Sequence, residues 1–328
     1  MTTRSRRPTI RDVAERAGVS KSLVSLALRD DAGVSDTTRA RIKQAAADLG
    51  YRSNSLARAL VQGRTGQVGV VVTDLTNPYH AEVALGVEDA ATTAGLTTLL
   101  ANGRRDPGRL AAHLHTFLEL NVDGLVVVSS RVEPEVLSSV AREVPVTVVG
   151  RPESLPAGVD NVAGDDRHGA RLATEHLLGA GHRRIAFATA STRPAARARR
   201  AGYAEAMRAA GLGDGTVHVV GDDARDDSID AVLDSDATAV FANHDLLAVD
   251  LLDRAVDRGI AVPERLAVIG YDDTDLAARV RPRLSSVDQR GAALGGTALD
   301  LLRERAGGRS EDRHAVLTPV LRVRSSSA

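Results

Sequence analysis

The sequence predicts an α/β protein in which a small all-α head precedes a two-lobed body built on parallel sheets. Three observations predict it. Short helical segments with capping residues fill the first 50 residues, and strand-like apolar runs alternate with helical patterns from Val68 onward. In addition, the two regions carry opposite charge. At 328 residues, the chain is long enough for about two domains and a sizeable core.

The charge is divided unevenly along the chain. Residues 1–64 contain 13 basic and 6 acidic side chains, whereas the remainder contains 29 basic and 37 acidic ones. A basic head joined to an acidic body favours a polyanion-binding module attached to a region with another task.

Composition excludes several kinds of protein. The chain has no cysteine, so disulfides and thiolate metal sites are impossible. The arginine-bearing N-terminus lacks the apolar segment of a secretion signal, and no apolar stretch is long enough to cross a membrane. We therefore expect a cytoplasmic protein with no membrane partner, no metal and no cofactor.

The head is expected to contain three helices and a helix-turn-helix unit. The predicted helices cover 10–17, 21–28 and 36–49, after the capping residues Thr9, Ser20 and Ser35. Gly18 and Gly50 end the first and third helices, and short helices joined by tight turns are typical of DNA-binding heads. The following stretch, 54–61, is amphipathic and too short to be stable alone.

The second helix has one apolar and one polar face. At 100° per residue, the outward arc contains Lys21, Ser22, Ser25, Leu26 and Arg29. In a major groove the two cations are placed to contact guanine edges or phosphates, the serines to contact bases, and the leucine to contact a thymine methyl. A helical hairpin with a merely solvated basic face is the alternative.

The body is predicted to be doubly wound. Strand-like runs lie at 68–72, 96–100, 125–128, 146–149, 185–188, 217–220, 239–241 and 266–269. Two such series predict two lobes with a ligand-binding crevice at the carboxyl ends of the strands. Polar residues follow several of these runs: Asp74, Asn77, Tyr79, Asn102, Ser129 and Asp272. Carboxylates there suit sugar hydroxyls, and arginines suit ring oxygens or anionic groups.

The sequence lacks several common enzyme motifs. The glycines of 63–69 precede a strand instead of following one, so they cannot present a helix N-terminus to a phosphate. No nucleophile elbow or Walker sequence is present. We expect a protein that is not an enzyme.

An ordered set of motifs resembles the LacI/GalR family of bacterial transcription regulators. The motifs are PTIRDVA from Pro8, AGVS from Ala17, VSDTTR from Val34, LGYRSN from Leu49, LARAL from Leu56 and NPY from Asn77. The resemblance covers almost the whole chain, and the combination is far more specific than any one motif.

The resemblance implies a dimeric repressor that binds a pseudo-palindromic double-stranded operator. It implies a DNA-binding head at 1–53, a hinge helix and linker at 54–65, and an effector-binding and dimerisation domain at 66–328. Leu60 would be the wedge inserted into the minor groove, where apolar side chains kink flexible base steps. By the same resemblance, Thr9, Ser20, Tyr51, Asn54 and Ala57 join the DNA-contacting set. Many relatives carry arginine where this chain has Leu26 and asparagine where it has Arg29, so the half-site read here is expected to differ.

The body resembles effector domains similar to periplasmic sugar-binding proteins. Its lobes are expected at about 66–164 with 287–314, and 165–286 with 315–328. Asp272 and Arg199 match the family's ligand-holding aspartate and arginine, while Asn77 and Tyr79 are weaker candidates. Ser129 and Arg193, with His168, are further pocket candidates. His244 stands where relatives often carry asparagine, which puts its role in doubt.

Three alternatives stay open at this point. A sugar receptor without a regulatory role and a sugar-modifying enzyme would both use such a body. Within the family, the chain does not distinguish induction from corepression, and the effector, expected to be a carbohydrate, is not identified.

Overall fold

The computed structural model describes residues 8–28, 30–51, 63–221 and 225–328. The chain divides into two compact units, residues 1–65 and residues 66–328. Most of the expected hinge at 54–65 lies outside the described residues, as do Arg29, Asn54, Ala57 and Leu60. In the described ranges, no helix is both long and apolar enough to span a membrane.

The first unit contains three short helices whose ends follow from local chemistry. They are α1 (Ile10–Ala17), α2 (Lys21–Leu28) and α3 (Asp36–Asp48). The Thr9 backbone N–H donates to Asp12 Oδ2 at 2.6 Å, which confirms the expected capping pair. Gly18 ends α1 with a φ of 65°, a left-handed conformation that glycine adopts without strain. The turn between α2 and α3 is fixed by Arg39, whose Nη2 donates to the Asp31 carbonyl at 2.7 Å.

One apolar cluster holds these three helices together. Its buried members are Val13, Ala14, Ala17, Val24, Ala27, Ile42, Ala45 and Ala46. From α2 it takes Val24 and Ala27, with Leu23 and Leu28 packed beside them, while Leu26 is not among the members. The division of α2 into an inner and an outer face is therefore as expected for its described residues.

The second unit alternates strands and helices along most of its length. Its first half contains β1 (Gln67–Val72), α4 (Pro78–Thr93), β2 (Thr97–Asn102), α5 (Pro107–Glu119), β3 (Leu125–Val128), α6 (Pro134–Ala141), β4 (Val146–Val149), β5 (Val159–Gly164) and α7 (Asp166–Gly179). Its second half contains β6 (Ile185–Thr189), α8 (Pro194–Ala209), β7 (Thr216–Val219), α9 (Arg225–Leu233), β8 (Ala239–Ala242), α10 (Asp245–Asp257), β9 (Ala267–Asp272), α11 (Asp275–Arg279), β10 (Ser285–Asp288), α12 (Gly291–Ala306), β11 (His314–Leu317) and β12 (Val320–Arg322).

These strands form two six-stranded sheets, each the centre of one lobe. The first has the order β11-β5-β4-β3-β1-β2, and the second has the order β12-β10-β9-β8-β6-β7. All described strand pairs are parallel except β10 with β12. Apolar clusters cover both faces of each sheet, which explains the continuous buried runs in β3, β4 and β8.

The chain crosses between the lobes three times, and two of the crossings differ from expectation. β10 lies in the second sheet to Asp288, and β11 lies in the first sheet to Leu317. The second and third crossings therefore occur just after these residues, instead of at 287 and 315. The expected positions were early because neither strand was recognised: β10 reads SSVD, with one apolar residue, and β11 reads HAVL, a short run at an exposed sheet edge.

Candidate functional site

A cavity of about 480 Å³ lies at the carboxyl ends of both sheets. Its walls come from residues that directly follow strands of the first lobe, such as Asp74, Ser129 and Gly150, and of the second lobe, such as Asn243 and Gln289. Its volume falls in the range of about 300–1,000 Å³ that is usual for small-molecule sites. The crevice position is where doubly wound sheets bind their ligands.

The structure brings all seven predicted effector-site residues to this one cavity. They are Asn77, Tyr79, Ser129, Arg193, Arg199, His244 and Asp272. Two weaker candidates are not part of the lining. Asn102 Oδ1 accepts from the Leu75 and Arg104 backbones, and His168 lies beside Arg171 on α7.

Arg199 lies at the base of the cavity, 7% exposed, and is held on several sides. Its Nε donates to Asp166 Oδ1 at 2.9 Å, and its Nη1 donates to the Asn243 carbonyl at 2.5 Å. Its guanidinium carbon lies 3.7 Å from the centre of the Tyr271 ring. Burial lowers the pKa of Arg199, but Asp166, Tyr271 and Asp272 together outweigh burial, so the pKa is raised and the side chain is a fixed cation.

Asp272 ends β9 within reach of this cation and is 4% exposed. Its Oδ1 accepts from Gln289 Nε2 at 2.6 Å, and Arg199 Nη1 lies 3.7 Å from the same oxygen, too far for a hydrogen bond. Burial raises the pKa of Asp272 to about 8, and Arg199 only partly opposes this. The backbone at Asp272 has a φ of 106°, a strained conformation for a residue with a Cβ, of the kind that clusters at binding sites.

His244 caps α10 and faces the cavity as a neutral ring. Its Nδ1 accepts the Leu247 backbone N–H at 3.1 Å, which places the ring proton on Nε2. Burial, together with the charges of Arg199 and Arg225, lowers the pKa of His244 to about 4. The histidine caps the helix as an asparagine would, and its position in the lining leaves the Nε2–H on the cavity side.

The first-lobe candidates have structural partners as well. Asn77 Oδ1 caps α4 by accepting the Tyr79 N–H at 3.1 Å, and Ser129 Oγ accepts the Arg131 N–H at 3.1 Å. Tyr79 packs partly against the apolar cluster of this lobe. Their side chains are thus fixed in position before any ligand arrives.

Sequence reasoning missed several lining residues. They are Asp166, Asn243, Gln289 and the arginines Arg105, Arg131, Arg151 and Arg225. Asp166 and Gln289 follow β5 and β10, two strands that lack an apolar run. Because these strands were not predicted, the polar residues that follow them were not proposed as lining residues. Asn243 Oδ1 is buried and has no hydrogen-bond partner among the described residues, so its acceptor capacity is left open beside the cavity.

The exposed face of α2 contains the predicted DNA-contacting residues that are described there. Lys21 and Ser22 are exposed, and Ser25 and Leu26 are half-buried. Other candidates have partners in the head: the Thr9 hydroxyl donates to Asp12, Ser20 Oγ accepts the Leu23 N–H, and Tyr51 packs on the apolar cluster. Within the described ranges, no group of three or more acidic or histidine side chains is arranged to hold a metal ion.

Comparison with known proteins gives a consistent result for both units. Residues 9–54 match the model of bacterial regulatory proteins of the lacI family, and residues 174–327 match a periplasmic binding protein-like domain. The ribose operon repressor of Escherichia coli K12 is 33% identical, over 97% of this chain and 99% of the relative.

Two solved structures extend the comparison. A complex of the transcriptional regulator CelR with cellobiose is 33% identical, with a TM-score of 0.71 and coverage of 98% of this chain and all of that chain. The lac repressor dimer bound to operator and an anti-inducer shares the fold at a TM-score of 0.85 and 23% identity, covering 98% of this chain and 99% of the other.

Proposed function

Because the chain belongs to the LacI family of bacterial regulatory proteins, we propose that it is a transcriptional repressor whose affinity for operator DNA is controlled by a small molecule bound in the cavity. The observation that supports this most is the pairing of a helix-turn-helix head with a body in which residues of both lobes surround one cavity. We place the protein in the cytoplasm as a homodimer, in keeping with its family.

The proposed DNA reader is the outer face of α2. Lys21, Ser22, Ser25 and Leu26 contact base edges or phosphates in the major groove, together with Arg29. Thr9, Ser20 and Tyr51 support or extend this surface. A hinge at 54–65, with Asn54, Ala57 and Leu60, acts in the minor groove, where an apolar wedge bends the duplex. A dimer places two such heads on the half-sites of a pseudo-palindrome.

The proposed ligand is a carbohydrate or a derivative of one. Asp272, Asn243 and His244 offer acceptors and a donor for hydroxyl groups, and Arg199 fixes a ring oxygen or a neighbouring substituent. The CelR complex with cellobiose supports this class of ligand. Because the lining belongs to both lobes, a ligand that contacts both stabilises the closed arrangement, and this differential binding changes the affinity for DNA.

A selection experiment tests the DNA-binding half of the proposal. The full-length protein is offered a pool of random duplexes, and bound sequences are recovered and measured by fluorescence anisotropy at several salt concentrations. We expect enrichment of a symmetric site and a Kd that rises steeply with salt, as phosphate contacts require. Recovery of no symmetric site at low ionic strength contradicts the proposal.

A further inference from the structure

Guanidinium groups outnumber carboxylates in the described lining of the cavity. The arginines are Arg105, Arg131, Arg151, Arg193, Arg199 and Arg225, and the carboxylates are those of Asp74, Asp166 and Asp272. Arg225 also forms an ion pair with Asp250 outside the lining. The remaining five cations still exceed the three acids.

Each of these acids is already engaged within the protein. Asp74 Oδ2 accepts from Arg105 Nε at 2.8 Å, and Asp166 accepts from Arg199. Asp272 accepts from Gln289, and burial raises its pKa. The negative charge of the lining is therefore balanced or suppressed before a ligand binds.

Two of the arginines have donors to spare. Arg151 uses Nε for Asp166 at 3.3 Å, and its terminal nitrogens donate to no residue that the structure describes. The Arg193 side chain forms no hydrogen bond with any described residue, and Glu153 is its acidic neighbour. A guanidinium has five N–H donors in a fork that matches phosphate and carboxylate groups.

Both of these arginines line the cavity, and Glu153 relates them to α8. Glu153 follows Arg151 by two positions, and it joins the first lobe to α8 through an ion pair with Arg197 at 2.6 Å. Arg193 precedes α8, and Ala195 and Ala196 in the first turn of that helix also line the cavity. Among the described residues no side chain caps this turn, so the N–H groups of Ala195 and Ala196 add positive potential to that of the guanidinium groups.

Polar groups of another kind line the same cavity. Asn243 is 4% exposed, its Oδ1 has no hydrogen-bond partner among the described residues, and it adjoins His244. Together with Asp272, these groups suit hydroxyls, whereas Arg151 and Arg193 suit an anion.

We propose that the ligand is an anionic carbohydrate, with hydroxyls on Asp272 and Asn243 and a phosphate or carboxylate between Arg151, Arg193 and the first turn of α8. This inference rests on the proposed function and narrows the ligand class within it. It distinguishes this chain from the CelR complex, whose cellobiose is neutral.

Matched ligand pairs test the proposal on the full-length protein. Glucose is compared with glucose 6-phosphate and glucuronate, and ribose with ribose 5-phosphate, by thermal shift and calorimetry at constant ionic strength. Inorganic phosphate alone is the minimal probe. We expect phosphate to stabilise the protein, and at least one anionic sugar to bind tenfold or more tightly than its neutral parent. The phosphorylated and carboxylated arms show which anion the site prefers.

Three variants locate the anion. Arg151→Gln and Arg193→Gln should each reduce the preference for the anionic sugar by tenfold or more, while Arg200→Gln should not. Arg200 is the matched control because it lies exposed on α8, outside the lining. The proposal is overturned if neutral sugars bind as tightly as anionic ones, if no probe binds, or if the preference survives both variants. If neutral sugars bind as tightly as anionic ones and the selection experiment still recovers a symmetric operator, the proposed function stands and only the anionic ligand class is refuted.

Discussion

Replacing Arg199 with alanine removes a cation that lies within 4 Å of Asp166, Asp272 and the Asn243 carbonyl. Removing one partner of a buried ion pair costs about 3–5 kcal/mol, because the other charge is left without compensation. Arg151 still lies 3.3 Å from Asp166, and Asp272 can take up a proton, so we expect a loss near the lower end, about 3 kcal/mol.

Urea unfolding of the full-length protein, followed by circular dichroism, measures this loss. Arg200→Ala, on the exposed side of the same helix, is the control and should change stability by less than about 0.5 kcal/mol. The pH dependence adds a second check. Loss of Arg199 raises the pKa of Asp272 further above about 8, so the additional cost of ionising this buried carboxyl develops as the pH rises through the wild-type value and is absent at pH 5. The loss should therefore be smaller at pH 5 than at pH 8. Equal stability of the Arg199→Ala and Arg200→Ala proteins at pH 8 refutes the reasoning.

Other substitutions give separate tests. Asp272→Asn removes a carboxyl whose pKa rises from 3.8 to about 8 on folding. Without ligand, the variant should therefore become more stable than wild type as the pH rises from about 4 to 8, by at least about 1 kcal/mol at pH 8. Ligand binding, measured by calorimetry, should be lost. Equal pH profiles of the two proteins argue against a buried, titrating carboxyl. His244→Asn should keep the α10 cap, and its free energy of unfolding in urea should lie within about 0.5 kcal/mol of the wild-type value. His244→Ala should lower that free energy by about 1 kcal/mol. Lys21→Ala should raise the Kd for the operator by about 5- to 150-fold in anisotropy. The control Lys43→Ala, which removes a lysine that is paired with Asp30, should raise the Kd much less. Equal increases in Kd mean that α2 does not contact the DNA.

Most strands with an apolar run could be predicted from the sequence, whereas β5 and β10 could not. β3 and β4 are LVVV and VTVV, and the runs proposed for them agree with the structure. β5 reads VDNVAG, and its fully buried Asp160 looks like a loop residue. The carboxylate is paired with Arg305 and Arg309, which lie far away in the sequence and approach it only in the folded chain.

The candidate site shows the same division. Asp272 and Ser129 could be proposed because a recognisable strand comes before each, and Arg199 only because its surroundings resemble a known family. Asp166, the carboxylate that holds Arg199, begins α7 after the unrecognised β5. The excess of arginines over carboxylates in the cavity lining could not be predicted for another reason. Arginines are frequent throughout this chain, and only the order of strands in the sheets shows which of them share a cavity.

The most direct test of the allosteric account is the Kd of the full-length protein for its selected operator, with and without a saturating ligand found by calorimetry. A coupling free energy of about 1–3 kcal/mol predicts a change of about 5- to 150-fold, in either direction. The same operator Kd in both titrations, with the ligand shown to be bound, contradicts it.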